Sequence, residues 1–161
     1  MLGSLTNDVL KLLKRLPGRT LIIFIGNPLR GDDGIGPFIG ERIKETDDLK
    51  IINAGVNPEN VIDHAISIKP ERIIIIDAAN FNGHTGEARV IDKNNLPETS
   101  LSTHSIPLTV FTSILEEDAN CKVYFLGIQV ASIDFGREMS GEVKSTGEAI
   151  IDLINREYSN A

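Results

Sequence analysis

The chain has 161 residues, 41% of them hydrophobic, and 23 acidic against 16 basic side chains give a net charge of -7. This length suits one compact domain with a real core, while the acidic balance argues against a nucleic-acid surface, which needs clustered Lys and Arg. Trp is absent and aromatics are 5%, so bases would find little to stack on, and the single cysteine, Cys121, excludes an intramolecular disulfide or a zinc-finger-like thiolate site and suits a cytoplasmic location.

Leu5, Val9, Leu12, Leu13 and Leu16 recur at helical spacing, with Asp8, Lys11, Lys14 and Arg15 between them. They predict an amphipathic helix closed by Pro17-Gly18, not a secretory apolar segment. We read residues 1–161 as one domain, on which the helix within 1–17 packs. Binding a membrane surface is the alternative use of such a face. No stretch is long and apolar enough to span a bilayer.

"TLIIFIG" (20–26) predicts a first strand and "GPFIGERIKE" (36–45) a helix. "LKIINAG" (49–55) reads as a second strand, and "PENVIDHAISIK" (58–69) as a helix with Pro58 at a favoured first position. In "ERIIIIDAA" (71–79) four consecutive Ile point to a strand buried on both faces, as in a parallel sheet covered by helices. "GEARVID" (86–92) alternates and follows a short connection, which suits an edge or antiparallel strand. "SIPLTVFTSILEE" (105–117) is helical, "KVYFLGIQV" (122–130) a strand, and "SGEVKSTGEAIIDLINREY" (140–158) the closing helix. No repeat or low-complexity linker interrupts the series. The expectation is a three-layer α/β/α domain with a mostly parallel five-stranded sheet and one antiparallel or edge strand.

Ligands of open α/β sheets bind beyond the carboxyl ends of the strands. Gly26-Asn27 ends the first strand, Asn53 and Gly55 the second and Asp77 the third, and the loop "ETSLSTHSIP" can bring His104 to the same edge. In "FIGNPLRGDDGIGPFIG", Gly26 and Gly31 have the spacing of a phosphate-binding P-loop. Such a loop would continue with Lys and Ser or Thr; here Asp32 and Asp33 follow. Like charges would meet in a phosphate cradle, so a cation or a metal-bearing partner fits better. Either Asp could simply cap the following helix. Two adjacent ones leave one carboxylate over, and cap and metal ligand both stay open. Asp77 could cap a turn or present a catalytic group, and His104 could be an ordinary loop residue. Together one carboxylate of the acidic turn (Asp32 or Asp33), Asp77 and His104 would make a hard-to-borderline ligand set for Ni, Zn, Mn or Fe, with coordination positions left open for chemistry.

Other signals are weaker. His64 reads as a solvated helix residue and His84, in "FNGHTGE", as a turn residue. No G-x-S-x-G elbow occurs, and Cys121 opens a buried-looking strand, so a serine or cysteine nucleophile has little support. "GIGPFIG" is one residue off the dinucleotide fingerprint, and its acidic approach argues against a pyrophosphate.

The ordered set "GNPLRGDDGIGP", "NPEN", "IIIIDAAN", "TGEARVID", "STHSIPL" and "FLGIQ" resembles the [NiFe]-hydrogenase maturation endopeptidases, and the hydrogenase 3 type most closely. It covers nearly all of the chain after the N-terminal helix. The resemblance implies a phosphorylase/hydrolase-like α/β/α fold and a cytoplasmic peptidase. Its partner would be the [NiFe]-hydrogenase large-subunit precursor, from which it removes a C-terminal extension once nickel is in place. It carries the metal-contacting and catalytic roles onto Asp33, Asp77 and His104, with Asn27 shaping the turn. Nickel would arrive within the precursor, and another divalent cation could occupy the free protein. Two departures stand out: Asn53 where many relatives have Asp, and Val130 where the hydrogenase 3 type tends to have Pro. A nickel-dependent recognition or chaperone module without hydrolysis is the alternative function. A hydrolase of some unrelated small substrate would share the fold class alone.

Overall fold

The computed structural model describes residues 5–96 and 106–159. Five strands, β1 (Thr20–Ile25), β2 (Leu49–Gly55), β3 (Arg72–Ala79), β4 (Ala88–Ile91) and β5 (Lys122–Gln129), form one sheet in the order β2-β1-β3-β5-β4. β1, β2, β3 and β5 are parallel, and β4 pairs antiparallel with β5 at the edge, as the alternation of its sequence predicts. Helices α1 (Asn7–Leu13), α2 (Ile35–Gly40), α3 (Ile62–Ser67), α4 (Leu108–Ala119) and α5 (Gly141–Glu157) cover it.

β1 and β3 are buried along their whole length, and their side chains divide between two cores. Ile22, Phe24, Ile74 and Ile76 join residues of α1, α2 and α5 on one face. Leu21, Ile23, Ile73 and Ile75 join residues of α3 and α4 on the other. The three layers follow from this double burial. The chain leaves β1 through α2 to reach β2 on one side, then crosses by α3 to β3 on the other side of β1. That reversal creates a crevice between the carboxyl ends of β1 and β3, where open α/β sheets bind ligands.

Helices depart more from the sequence expectation than strands do. The segment expected to be helical from 36 to 45 closes at Gly40. Gly36, Pro37 and Gly40 give it low helical propensity; close packing holds it instead. A Cβ on Gly36 would lie 2.2 Å from the Ile25 carbonyl oxygen. The segment from Pro58 begins as a 3-10 turn, Pro58–Val61, before α3. α4 runs from Leu108 to Ala119 and is closed by Asn120 in the left-handed conformation (φ 52°).

α1 rests against β4 and α5, with Val9, Leu12 and Leu13 in the core. Its carboxyl end is held by Arg72, a buried cation at the start of β3. The guanidinium donates to the Leu12 carbonyl at 2.8 Å, the Lys14 carbonyl at 2.7 Å, Thr20 Oγ1 at 3.0 Å and the Tyr158 hydroxyl at 3.3 Å. It thereby satisfies carbonyls that a helix end leaves without intrahelical partners, at the pole where positive charge is favoured. Arg72→Met should leave these acceptors buried and unmatched. We expect a loss of about 2–4 kcal/mol, seen as a fall of roughly 5–15 °C in melting temperature. An unchanged melting temperature would show that the network contributes nothing net.

Candidate active site

The acidic turn starts where β1 runs out. Gly26 donates its N–H to the Gly55 carbonyl at the end of β2. A Cβ on Gly26 would lie 2.1 Å from the Asp33 carbonyl oxygen, so only glycine permits the chain to fold back this closely. The Asn27 side chain accepts from the Leu29 N–H at 2.9 Å, and the Asn27 carbonyl accepts from the Arg30 N–H at 3.1 Å. A 3-10 turn, Gly31–Gly34, follows and packs against β3.

The two adjacent carboxylates have different tasks. Asp32, 1% exposed, does not cap α2; it reaches the loop after β5. Its Oδ2 accepts from the Ala131 N–H at 2.8 Å, the Ser132 N–H at 3.4 Å and the Ser140 hydroxyl at 3.0 Å. Its Oδ1 accepts from the Ser140 N–H at 2.7 Å. Asp33, 2% exposed, accepts from the Asn27 N–H at 3.1 Å through its Oδ2. The 3-10 turn and α2 have no side-chain cap among their N-terminal bonds.

Asp77 lies in β3 beside Gly127 of β5 and is 1% exposed. Alternation along the strand puts it on the face of Ile73, Ile75 and Ala79, which α3 and α4 cover. Its Oδ1 accepts from the Ala78 N–H at 2.7 Å. Buried carboxylates are costly unless hydrogen bonds or cations compensate them, and the 3-10 turn after β1 and the neighbouring strand β3 hold one each. As oxygen donors on rigid backbone they suit a divalent cation of the hard-to-borderline class. Among the described residues no three His, Cys, Asp or Glu side chains gather as a metal site. His104 lies outside the described residues.

Gln129, at the end of β5, was not singled out from the sequence beyond its place in "FLGIQ". Its Oε1 accepts from the Phe81 N–H at 2.9 Å and the Gly83 N–H at 3.1 Å, while Nε2 donates to Asn80 Oδ1 and the Val130 carbonyl. It thus fixes the loop that follows Asp77. A polar residue ending an otherwise apolar strand is the signal that could have found it. Asn53 pairs with Phe24 in the sheet, and a Cβ on Gly40 would lie 2.1 Å from its Oδ1, so its amide packs against α2. His64 and His84 are exposed. Cys121 precedes β5, at the amino end of the strand, and Gly127 lies about 20 Å further along it. Burial pushes the thiol up, and Glu116 and Glu71 add to the effect, so it is a poor nucleophile at neutral pH. A groove of about 640 Å³ lined by Leu12, Leu16, Arg72 and Val123 opens near that amino end.

The comparisons with known proteins agree with one another. A family model described as hydrogenase maturation protease matches residues 38–157. The hydrogenase 3 maturation protease of Escherichia coli (strain K12) is 32% identical over 137 residues, 83% of this chain and 87% of its own length. The crystal structure of a [NiFe] hydrogenase maturation protease HycI from Thermococcus kodakarensis KOD1 superposes with a TM-score of 0.84 at 28% identity, covering 96% of this chain and 100% of that one. The solution structure of an endopeptidase HycI from Escherichia coli gives 0.77 at 30% identity, covering 88% and 92%. With three quarters of its length matched by one family's description, and its fold shared with solved members, the chain belongs to the hydrogenase maturation proteases and is a peptidase.

Proposed function

We propose that this peptidase removes a C-terminal extension from the large-subunit precursor of a [NiFe] hydrogenase after nickel insertion, in the cytoplasm. Nickel carried by the precursor serves as the recognition element. The observation that carries the reading is the pair Asp33 and Asp77: two buried carboxylates, distant in sequence, one in the 3-10 turn that follows β1 and packs against β3, the other in β3 itself. His104 supplies a third donor. Support for that role comes from α4, which starts at Leu108 and packs on the face that Asp77 shares, with Ile106 against the same core.

In this reading the protein contributes position. Backbone N–H groups of Asn27 and Ala78 orient the two carboxylates, and Gln129 keeps the loop after Asp77 in place. Binding of the precursor's metal by these donors brings the scissile peptide to the crevice, the entropic part of catalysis. A bound divalent metal can also polarise a carbonyl. Water then cleaves the peptide, leaving a new carboxylate and a free amine. Precursor without nickel lacks the group that these donors recognise, so it is spared.

Asp77→Asn preserves shape and most hydrogen bonding while removing the anionic ligand. Cleavage of nickel-loaded precursor should fall at least about 100-fold, the upper end of what loss of an outer-shell partner costs, with the melting curve retained. Processing at the wild-type rate would remove Asp77 from the mechanism. Cys121→Ser should process normally, and the native thiol should alkylate slowly at pH 7. A cysteine variant that folds but cannot cleave would instead point to thiol chemistry.

A further inference from the structure

Among the described residues, four large apolar side chains are exposed, and two of them, Leu29 at 64% and Phe135 at 72%, belong to neighbouring loops at the carboxyl edge. Leu29 lies in the acidic turn four residues before Asp33, and Phe135 in the loop between β5 and α5. The Gly136 N–H donates to the Leu29 carbonyl at 2.9 Å, which ties the backbones together next to both side chains. Arg30 Nε donates to the Ile133 carbonyl at 3.2 Å, and its guanidinium lies 5.9 Å from the Phe135 ring centroid. The Asp32 N–H donates to the Ser132 carbonyl at 2.9 Å, alongside the four bonds accepted by its carboxylate. Gly31 has φ 55°, and a Cβ there would lie 2.7 Å from the Ser132 carbonyl oxygen. A cavity of about 290 Å³, lined in part by Pro28, Gly34, Arg137 and Met139, is shared by the two loops.

Single exposed apolar residues are common on any surface and call for no explanation. Leu16 and Val110, the other two, lie on the α1 connection and on α4. Leu29 and Phe135 differ because a buried carboxylate, the costliest kind of anchor, is spent on holding their loops in register. A contact surface needs that rigidity; a solvated loop does not.

We propose that Leu29 and Phe135 are specificity-determining residues: they form an apolar lip beside the acidic turn that takes an apolar side chain of the polypeptide precursor, and Asp32 is the positioning residue that sets the lip. The inference rests on the acidic turn being where the precursor is bound. Apolar contact next to the metal-binding carboxylates gives recognition two independent parts. Metal supplies one and peptide surface the other, and truncating an apolar anchor weakens binding far more than removing a peripheral polar contact.

The test measures kcat and KM for nickel-loaded large-subunit precursor with Leu29→Ser, Phe135→Ser, Asp32→Asn and Asp77→Asn. Both serine substitutions are at exposed positions and should leave the melting curve unchanged. KM should rise at least about tenfold in each, with kcat within about twofold of wild type, and Phe135→Leu should restore most of the loss. Asp32→Asn should raise KM in the same direction. If both serine variants keep the wild-type KM while Asp77→Asn is inactive, the lip is overturned and the acidic site stands. If Asp77→Asn remains active, the site itself is misplaced and the lip falls with it.

Discussion

β1 and β3 have apolar side chains toward both sides of the sheet, and each side must be covered. Leu21 to Ile25 and Ile73 to Ile76 alternate between two core clusters, one under α1, α2 and α5 and one under α3 and α4. A chain with such strands at its centre has to place helices on opposite faces, and the right-handed crossover preference then leaves little choice of topology. The two strands become neighbours with connections departing in opposite directions. The crevice at their carboxyl ends is a consequence of burial, and the acidic turn and Asp77 lie at that edge of the sheet.

At that edge the structure divides one dipeptide between two tasks. Asp32 turns toward the loop after β5 and is consumed by hydrogen bonds from Ala131, Ser132 and Ser140. Asp33 accepts from the Asn27 N–H and lies on the turn that packs against β3, the strand of Asp77. Fixing a side chain through a neighbouring anchor is how a position on a loop gains the precision of one on a strand. Gln129 does the equivalent for the loop beyond Asp77. The bonds of Asp32 also tie the loop of the exposed Phe135 to the turn that carries the exposed Leu29.

Much of this was legible in the sequence. Four consecutive Ile announced a strand buried on both faces, and the alternation of "GEARVID" announced β4 at the edge. The Asp32-Asp33 pair and Asp77 stand out because carboxylates interrupt otherwise glycine-rich or apolar runs, and the family resemblance selects Asp33 of the pair. The separate task of Asp32 was not legible, because it depends on a loop that touches it in space but lies 99 residues away in sequence. The short α2 was missed because its apolar periodicity continues past Gly40, whereas close packing of glycines on β1 and β2 decides where it stops. The clasp of α1 by Arg72 was likewise hidden, since a basic residue at a strand start ordinarily faces solvent.

In the proposed function the metal of the substrate is held by Asp33, Asp77 and His104. The most direct test of that arrangement is nickel anomalous diffraction from crystals of the protein bound to nickel-loaded precursor. One nickel peak is expected in the crevice between β1 and β3, within about 2.2 Å of a carboxylate oxygen from each Asp and a nitrogen of His104. A nickel peak coordinated by the precursor alone, with both carboxylates out of bonding range, would contradict it.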